Sequence, residues 1–594
     1  MKKVVPILLM IGLILCVLIG GLGYTAYKKY APVKERADLT SLYGASGDEV
    51  ALFLDDELQE AKGSFQNGQV YLPVSWVNQN LNERFYWDAN EQLLVYTLPE
   101  SIVYMDQNTR GESGAPVIIT RADALDEAAE ADAEENVYLS EELIAEYTDV
   151  RLTAFAEDGV HQADDSSEKD AGNQTGEKAG RKTENAAETD VKRMFVDRKW
   201  EAEEWTALKS AGAVRERGGI KSLVVVQEPK GAKVRVLETM ERWAKVRTED
   251  GHMGYIEKRR LGDSENVTYI STFEAPVYTN ISMEEKVCLV WHQVTSMEAN
   301  RTLTRLLNQT KGINVVSPTW FALTDNEGNF TSLADRSYVD SLHDQGIQVW
   351  ALIDNFSKDV QTEILLSRTS VRQKLISGLM EQVETYDLDG LNLDFESLKE
   401  SAGPHYIQFI RELSVACRQK QIVLSVDNYV PASYNAYYNR REQGIVADYV
   451  IIMGYDEHYS GGEAGPVASY PYVKNGIEGT LKEVPKNKVI NAIPFYTRVW
   501  KEYANGTTSS DALGIADAKA WVDSNQVSLY WQDEIGLYYG EISNAEVRKE
   551  IWLEEETSIG LKMDLIRDYD LAGVACWKLG FEPASIWEVV KVNE

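Results

Sequence analysis

Three features of the sequence predict an α/β fold, a (β/α)8 (TIM) barrel with a small β insertion, for residues 265–594. Eight short apolar runs recur there, at 287–290, 313–316, 349–353, 390–395, 422–426, 449–453, 489–493 and 573–577. Stretches of helical periodicity separate them. One, at 371–386, is apolar at Leu375, Ile376, Leu379 and Val383, and another covers 406–418. The gap between the seventh and eighth runs is long and holds further strand-like pieces at 527–530, 536–539 and 550–553. Alternating strands and helices of this kind build a closed parallel sheet, and its chemistry sits at the C-terminal strand ends.

The fourth run is the most informative. Side chains alternate along a strand, so Leu391, Leu393 and Phe395 share an apolar face and Asn392, Asp394 and Glu396 share the other. Two carboxyls this close raise one another's pKa, and burial raises both further. A carboxylic acid kept protonated in this way can donate a proton near neutral pH. Other strand ends carry Trp291-His292-Gln293, Gly454-Tyr455-Asp456, Tyr496-Thr497-Arg498 and Trp577. His292 reads as structural.

Composition narrows the partners. The 594 residues suffice for several domains, and the formal net charge is -34. A nucleic-acid footprint would be basic, so such binding is not expected. None of the four cysteines has a metal-like spacing. Cys288, Cys417 and Cys576 sit in apolar runs and read as small buried hydrophobes. No cofactor or metal is expected.

The N-terminal half divides into four pieces. Residues 1–32 read as a membrane segment: no charge occurs between Lys3 and Lys28, and the run 4–27 would span about 36 Å as a helix, enough for a bilayer. It is read as a retained single-pass anchor with extracytoplasmic domains, the alternative being a cleaved signal and a secreted chain. Lys28 and Lys29 follow the run, but large domains translocate largely regardless of such charge. Residues 33–157 read as a small α+β domain, with strands at 50–54, 69–73 and 93–96 and a strand entering a capped helix at 137–147. Residues 158–207 read as a linker, with a low-complexity stretch at 158–190 that lacks Phe, Trp and Tyr. Residues 208–262 hold short strands and a tight turn at Asp250-Gly251.

These segments resemble known families. The stretch "GQVYLPVSWV" with "FYWDANEQLLVY" is similar to the domain named after the copper amine oxidase N-terminus. Copper is not expected, because 33–157 contains neither His nor Cys. The stretch "AGAVRERGGIKSLVVVQEPKGAKVRVLETMERWAKVRTEDGHMGYIEKRRL" resembles a bacterial SH3-type β-barrel, which implies contact with wall peptide or glycan or a spacer role. The fourth run resembles the Asp-x-x-Asp-x-Asp-x-Glu motif of glycoside hydrolase family 18, the chitinase-like hydrolases, and the likeness extends over "MGYDEHYSGGEAGPVAS", "IPFYTRVW" and "LAGVACWKLGFE". One position departs: Asn392 stands where the family pattern has an Asp, a variant similar to spore-cortex and cell-wall members.

The resemblance implies a substrate-assisted retaining mechanism, which lies outside the usual two-carboxylate scheme. Glu396 would be the proton donor. Asp394 would orient the acetamide N–H of the sugar, and Tyr455 would donate to its carbonyl oxygen. Trp577 would form the floor of the sugar site, with Asp456 and Asn392 beside it. Tyr496 and Arg498 would either touch the sugar or brace the seventh strand. The implied substrate is an N-acetylated glycan polymer, peptidoglycan cortex or a chitin-like chain. The competing expectation is a glycan-binding protein that does not cut. Retention of Glu396 speaks for the enzyme and Asn392 keeps the lectin in play.

Overall fold

The computed structural model of the chain describes residues 5–120, 136–156, 159–160 and 191–593. The central part of the expected linker, 161–190, lies outside the described residues. The chain folds as two units, Met1–Phe85 with Met105–Ala275, and Tyr86–Tyr104 with Pro276–Glu594.

The first unit opens with a 26-residue helix, Val5–Tyr30. Its described apolar side chains, among them Leu13, Val17, Ile19 and Leu22, are exposed. Among the described residues no helix is long and apolar enough to cross a membrane, so the anchor is carried below as a proposal. Two sheets follow. An eight-stranded sheet contains Glu49–Leu54, Glu57–Gln66 and Gln69–Pro73. Its strand Val137–Ser140 leads into the helix Glu141–Tyr147, capped by Ser140 Oγ accepting from the Leu143 N–H at 3.2 Å. Val191–Asp197, which the sequence reading leaves in the linker, is a strand of this sheet, parallel to Glu49–Leu54. Met194, Phe195 and Val196 are its buried apolar residues. A seven-stranded antiparallel sheet spans 203–267. Its strands Trp243–Thr248 and Met253–Glu257 form the hairpin expected at Asp250-Gly251, where Gly251 takes φ +70°. Arg247, nearly buried, reaches back to Asp56 at 2.9 Å.

The second unit is an α/β barrel of eight parallel strands. They are β1 (Val287–His292), β2 (Val315–Leu323), β3 (Gln348–Asp354), β4 (Gly390–Asp394), β5 (Val423–Tyr429), β6 (Tyr449–Met453), β7 (Val489–Pro494) and β8 (Gly573–Trp577). Each pairs with its neighbours in order, and β1 pairs with both β2 and β8, closing the ring. All eight overlap the apolar runs, β2 (Val315–Leu323) only at the end of the run 313–316. Strands covered on both faces read as continuous apolar stretches. The β insertion between β7 and β8 is a five-stranded antiparallel sheet with the helix Ile515–Ser524.

The barrel unit also takes in a hairpin from the N-terminal half. Leu93–Thr97, expected to belong with the small N-terminal domain, pairs instead in a three-stranded sheet with Phe85–Asp88 and Ile102–Met105. Tyr86–Tyr104 packs on two barrel helices, Thr369–Tyr386 and Gly403–Lys420. The fully buried Asp88 accepts from the Thr369 N–H and hydroxyl, both at 2.6 Å, and so caps a helix that has no side-chain cap of its own. Beside it, Tyr86 Oη lies 2.7 Å from His405 Nδ1, and Arg372 pairs with Glu412 at 2.9 Å with neither side chain exposed. Asp88→Ala in the full chain is expected to destabilise the barrel unit by about 2 kcal/mol, because it leaves two buried donors unpaired. A melting temperature unchanged from wild type would contradict that role.

Candidate active site

The C-terminal ends of β3 to β8 converge on one cluster. Asn392 and Asp394 project from β4, and Glu396 lies two residues beyond it. Glu396 is held by its backbone: its N–H donates to Asn355 Oδ1 at 2.9 Å, and Asn355 Nδ2 returns a bond to the Glu396 carbonyl at 3.0 Å. Asn355 follows β3, so two adjacent strand ends lock together. Phe395 faces the other way and stacks on Tyr406 and Phe409 of the helix Gly403–Lys420. The alternation expected for this strand therefore sorts the acids from the apolar anchor.

The Glu396 carboxyl accepts a 2.6 Å hydrogen bond from Tyr429 Oη, at the end of β5. Burial raises its pKa, the Tyr429 bond opposes that, and the charges of Asp456 and Asp354 add to the rise. Asp394 is more deeply buried, and burial followed by the charges of Asp427, Glu396 and Asp354 drives its pKa well above the ordinary range. Its Oδ1 is buried with no hydrogen-bond partner among the described residues. Asn392 is fully buried and saturated. Its Oδ1 accepts from Trp291 Nε1 at 2.8 Å and Ser317 Oγ at 3.1 Å, while Nδ2 donates to Asp427 Oδ1 at 2.8 Å and Ser425 Oγ at 3.1 Å. It braces the site from below and does not line its surface.

The remaining expected residues gather around these acids. Tyr455 is buried after β6, and desolvation raises its pKa well above the phenol range. Gly454 precedes it, where a Cβ would meet the Ala492 carbonyl at 2.7 Å, so only glycine allows β6 and β7 to approach this closely. Asp456 takes φ +56°, uncommon for a residue with a side chain. Tyr496 Oη donates to its Oδ1 at 2.6 Å and Arg498 Nη2 stands 3.6 Å away. Both residues therefore brace Asp456. Trp577, half-buried at the end of β8, meets Trp291 edge-on at 5.9 Å. His292 engages Tyr338 and Thr302 through its two ring nitrogens, and burial lowers its pKa to about 4, a structural pattern.

Four contributors escaped the sequence reading: Asp427, Tyr429, Asn355 and Asp354. The first two follow the apolar run 422–426 directly, and continuing β5 by three residues would have brought both to its C-terminal end.

The strand ends thus set Glu396, whose pKa burial raises, beside the more deeply buried Asp394, with Tyr429 and Tyr455 alongside. Residues 295–582 match the family described as Glycosyl hydrolases family 18. Among similar proteins, the uncharacterized glycosylase YvbX of Bacillus subtilis (strain 168) is 26% identical over 295 residues, 47% of this chain and 84% of that protein. The cortical fragment-lytic enzyme of the same organism is 28% identical over 262 residues, 42% of this chain and 61% of that protein, so the chain spans less than two thirds of this relative's length. The crystal structure of the Bacillus cereus spore cortex-lytic enzyme SleL superposes with a TM-score of 0.47 at 20% identity, covering 56% of this chain and 77% of that one.

The buried acids set a pH dependence of stability. Asp394 ionises near its ordinary value of 3.8 when unfolded and well above it when folded. A raised folded-state pKa gives stability that is complete below the unfolded value and lost as pH rises toward the folded one. Asp394→Asn is therefore expected to melt above wild type at and beyond neutral pH, the gain shrinking as pH falls toward the ordinary carboxylate range. A gain that grows on acidification would contradict the assignment.

Proposed function

We propose that the chain is a membrane-anchored, extracytoplasmic glycosidase that cleaves β-linked N-acetylglucosamine in peptidoglycan, spore cortex or a chitin-like polymer, by substrate-assisted retaining catalysis. The observation that carries this reading is the Asp394–Glu396 pair: two carboxyls with raised pKa values on one strand end, the outer one hydrogen-bonded to Tyr429. Glu396 protonates the glycosidic oxygen. The acetamide oxygen of the substrate attacks C1, and Asp394 accepts from the acetamide N–H and balances the positive charge of the cyclised intermediate. Tyr455 donates to the acetamide oxygen before attack, and Trp577 supports the sugar face. Phe356, Tyr434 and Tyr459, exposed on the loops after β3, β5 and β6, supply further stacking surface for a polymer.

Glu396→Gln keeps the shape and removes the transferable proton. Cleavage of N-acetylated peptidoglycan or chitin oligomers should fall by about 10²–10⁴-fold while glycan binding survives. Wild-type glycan that has been de-N-acetylated should resist cleavage at the deacetylated sugar, and the product anomer should be β. Equal cleavage of both glycans, or a sugar ester trapped on an Asp or Glu, would refute the substrate-assisted route. A Glu396→Gln chain as active as wild type would remove the donor assignment altogether.

The anchor rests on the sequence, where no charge occurs between Lys3 and Lys28 and the run 4–27 would be long enough as a helix for a bilayer. The full chain should stay in the membrane pellet through a high-salt wash, and a chain starting after residue 32 should leave it. Recovery of the full chain in the soluble fraction would favour secretion. For the SH3-type and copper-amine-oxidase-like segments we propose wall contact, read out as co-sedimentation of the anchorless chain with purified sacculi. Failure of residues 33–275 to compete in that assay would leave them a spacer role.

A further inference from the structure

The register of three barrel strands sets acids in a row. Asp354 on β3 is the partner of Asp394 on β4. Leu393 is the partner of Val426, which sets Asp394 beside Asp427 on β5. Asp394 and Asp427 are only 7% and 2% exposed. One oxygen of Asp427 accepts from the Asn392 amide at 2.8 Å. Asn392 is itself fixed by Trp291, Ser317 and Ser425, so the Asp427 carboxyl is held in place. Next to it, Asp394 Oδ1 lacks a hydrogen-bond partner among the described residues. Besides that amide, the groups that act on the two carboxyls are other acids, with no cation among them. Two neighbouring carboxyls in a dry site do not both ionise near neutral pH.

We propose that Asp427 is a positioning residue for the reaction: its carboxyl shares a single proton with that of Asp394, filling the open hydrogen-bond position at Asp394 Oδ1 and holding Asp394 as the anion that orients the acetamide of the substrate. The inference rests on the substrate-assisted reading above. Neither acid forms a covalent bond to the sugar. The shared proton stays within the pair, and the proton that leaves with the departing sugar comes from Glu396. Asn392 fits this role because a neutral amide donates to Asp427 without adding a third charge.

The pair faces further titratable groups from every element packed on it. These are Asp354 at the end of β3, Glu396 after β4, Tyr406 from the helix Gly403–Lys420 and Tyr455 after β6. Arg440 and Tyr438 act on Tyr406, and Asp456 acts on Glu396. All are retained in the variants below, so differences between variants report on position 427.

The test is the pH dependence of kcat in the full chain, on the N-acetylated glycan. Asp427→Ala removes the donor to Asp394 Oδ1. Asp394, still buried, then takes up a proton more readily. The ascending acid limb, which requires Asp394 ionised, should move to higher pH by about one unit. At neutral pH kcat should fall about tenfold, as expected when one buried acceptor is left unpaired, with KM within about threefold of wild type. Asp427→Asn restores an N–H donor at this position and should bring the limb back toward its wild-type place. If Asp427 were simply an ionised neighbour, removing it would relieve repulsion and the limb would move to lower pH. That shift overturns the proposal, and so does an unmoved limb in a variant that melts like wild type. Should Asp427→Ala fail to fold, Asp427→Leu, closer in volume, carries the same comparison. Full activity of Glu396→Gln overturns the functional reading instead, so the two failures are read from different variants.

Discussion

A barrel mouth that gathers several carboxyl groups in partly or fully buried positions cannot let all of them ionise, and this constraint organises the rest of the site. Desolvation is the largest influence on Asp354, Asp394, Glu396 and Asp427 alike, and in each it favours the neutral acid. Neutral polar partners oppose the resulting rise in pKa at two of them. Tyr429 donates to Glu396, which partly offsets the effect of desolvation there. Asn392 donates to Asp427. The set acts as one titrating cluster whose protons are distributed by geometry.

Such a cluster costs stability, so its backbone must be held firmly. The reciprocal Asn355–Glu396 bonds tie the end of β4 to that of β3. Tyr438 Oη bridges the same segment, donating to the Phe395 carbonyl and accepting from the Leu398 N–H. Outside the barrel, the hairpin Tyr86–Tyr104 clamps two of the enclosing helices through Asp88 and Tyr86. The buried Arg372–Glu412 pair beneath it is weak evidence for net stability, since desolvating two charges offsets much of their attraction. Its geometric effect is clearer: Arg372 also bonds the Leu366 carbonyl and Thr369 Oγ1, fixing the start of one helix against the flank of the next. The family match begins at residue 295, yet this support comes from residues 86–104.

The barrel was legible because parallel strands buried on both faces must be apolar throughout, and eight such runs in one chain leave few other folds. The acids of β4 were legible because alternation separates Leu391, Leu393 and Phe395 from Asn392, Asp394 and Glu396. Asp427 and Tyr429 were not, because a polar residue after an apolar run looks the same whether the chain is leaving a strand or entering a site. The strand Leu93–Thr97 was visible, but a local pattern carries no information on which sheet a strand joins. Val191–Asp197 is short and flanked by charge, and only its pairing with Glu49–Leu54 explains why Met194, Phe195 and Val196 are buried.

The departure at Asn392 from the family pattern becomes intelligible in these terms. An aspartate there would bring two acceptor oxygens and a potential charge into a fully buried position. The Trp291 and Ser317 donors could satisfy one oxygen, but the other would face Asp427, acceptor against acceptor, unless a further proton entered the cluster. An asparagine accepts on one side and donates on the other, so both sets of neighbours are satisfied with no added charge. The carboxyl that accompanies Asp394 then comes from the next strand, at Asp427, rather than from two residues earlier on its own. A pair of acids is retained, and only the strand that contributes the second member differs.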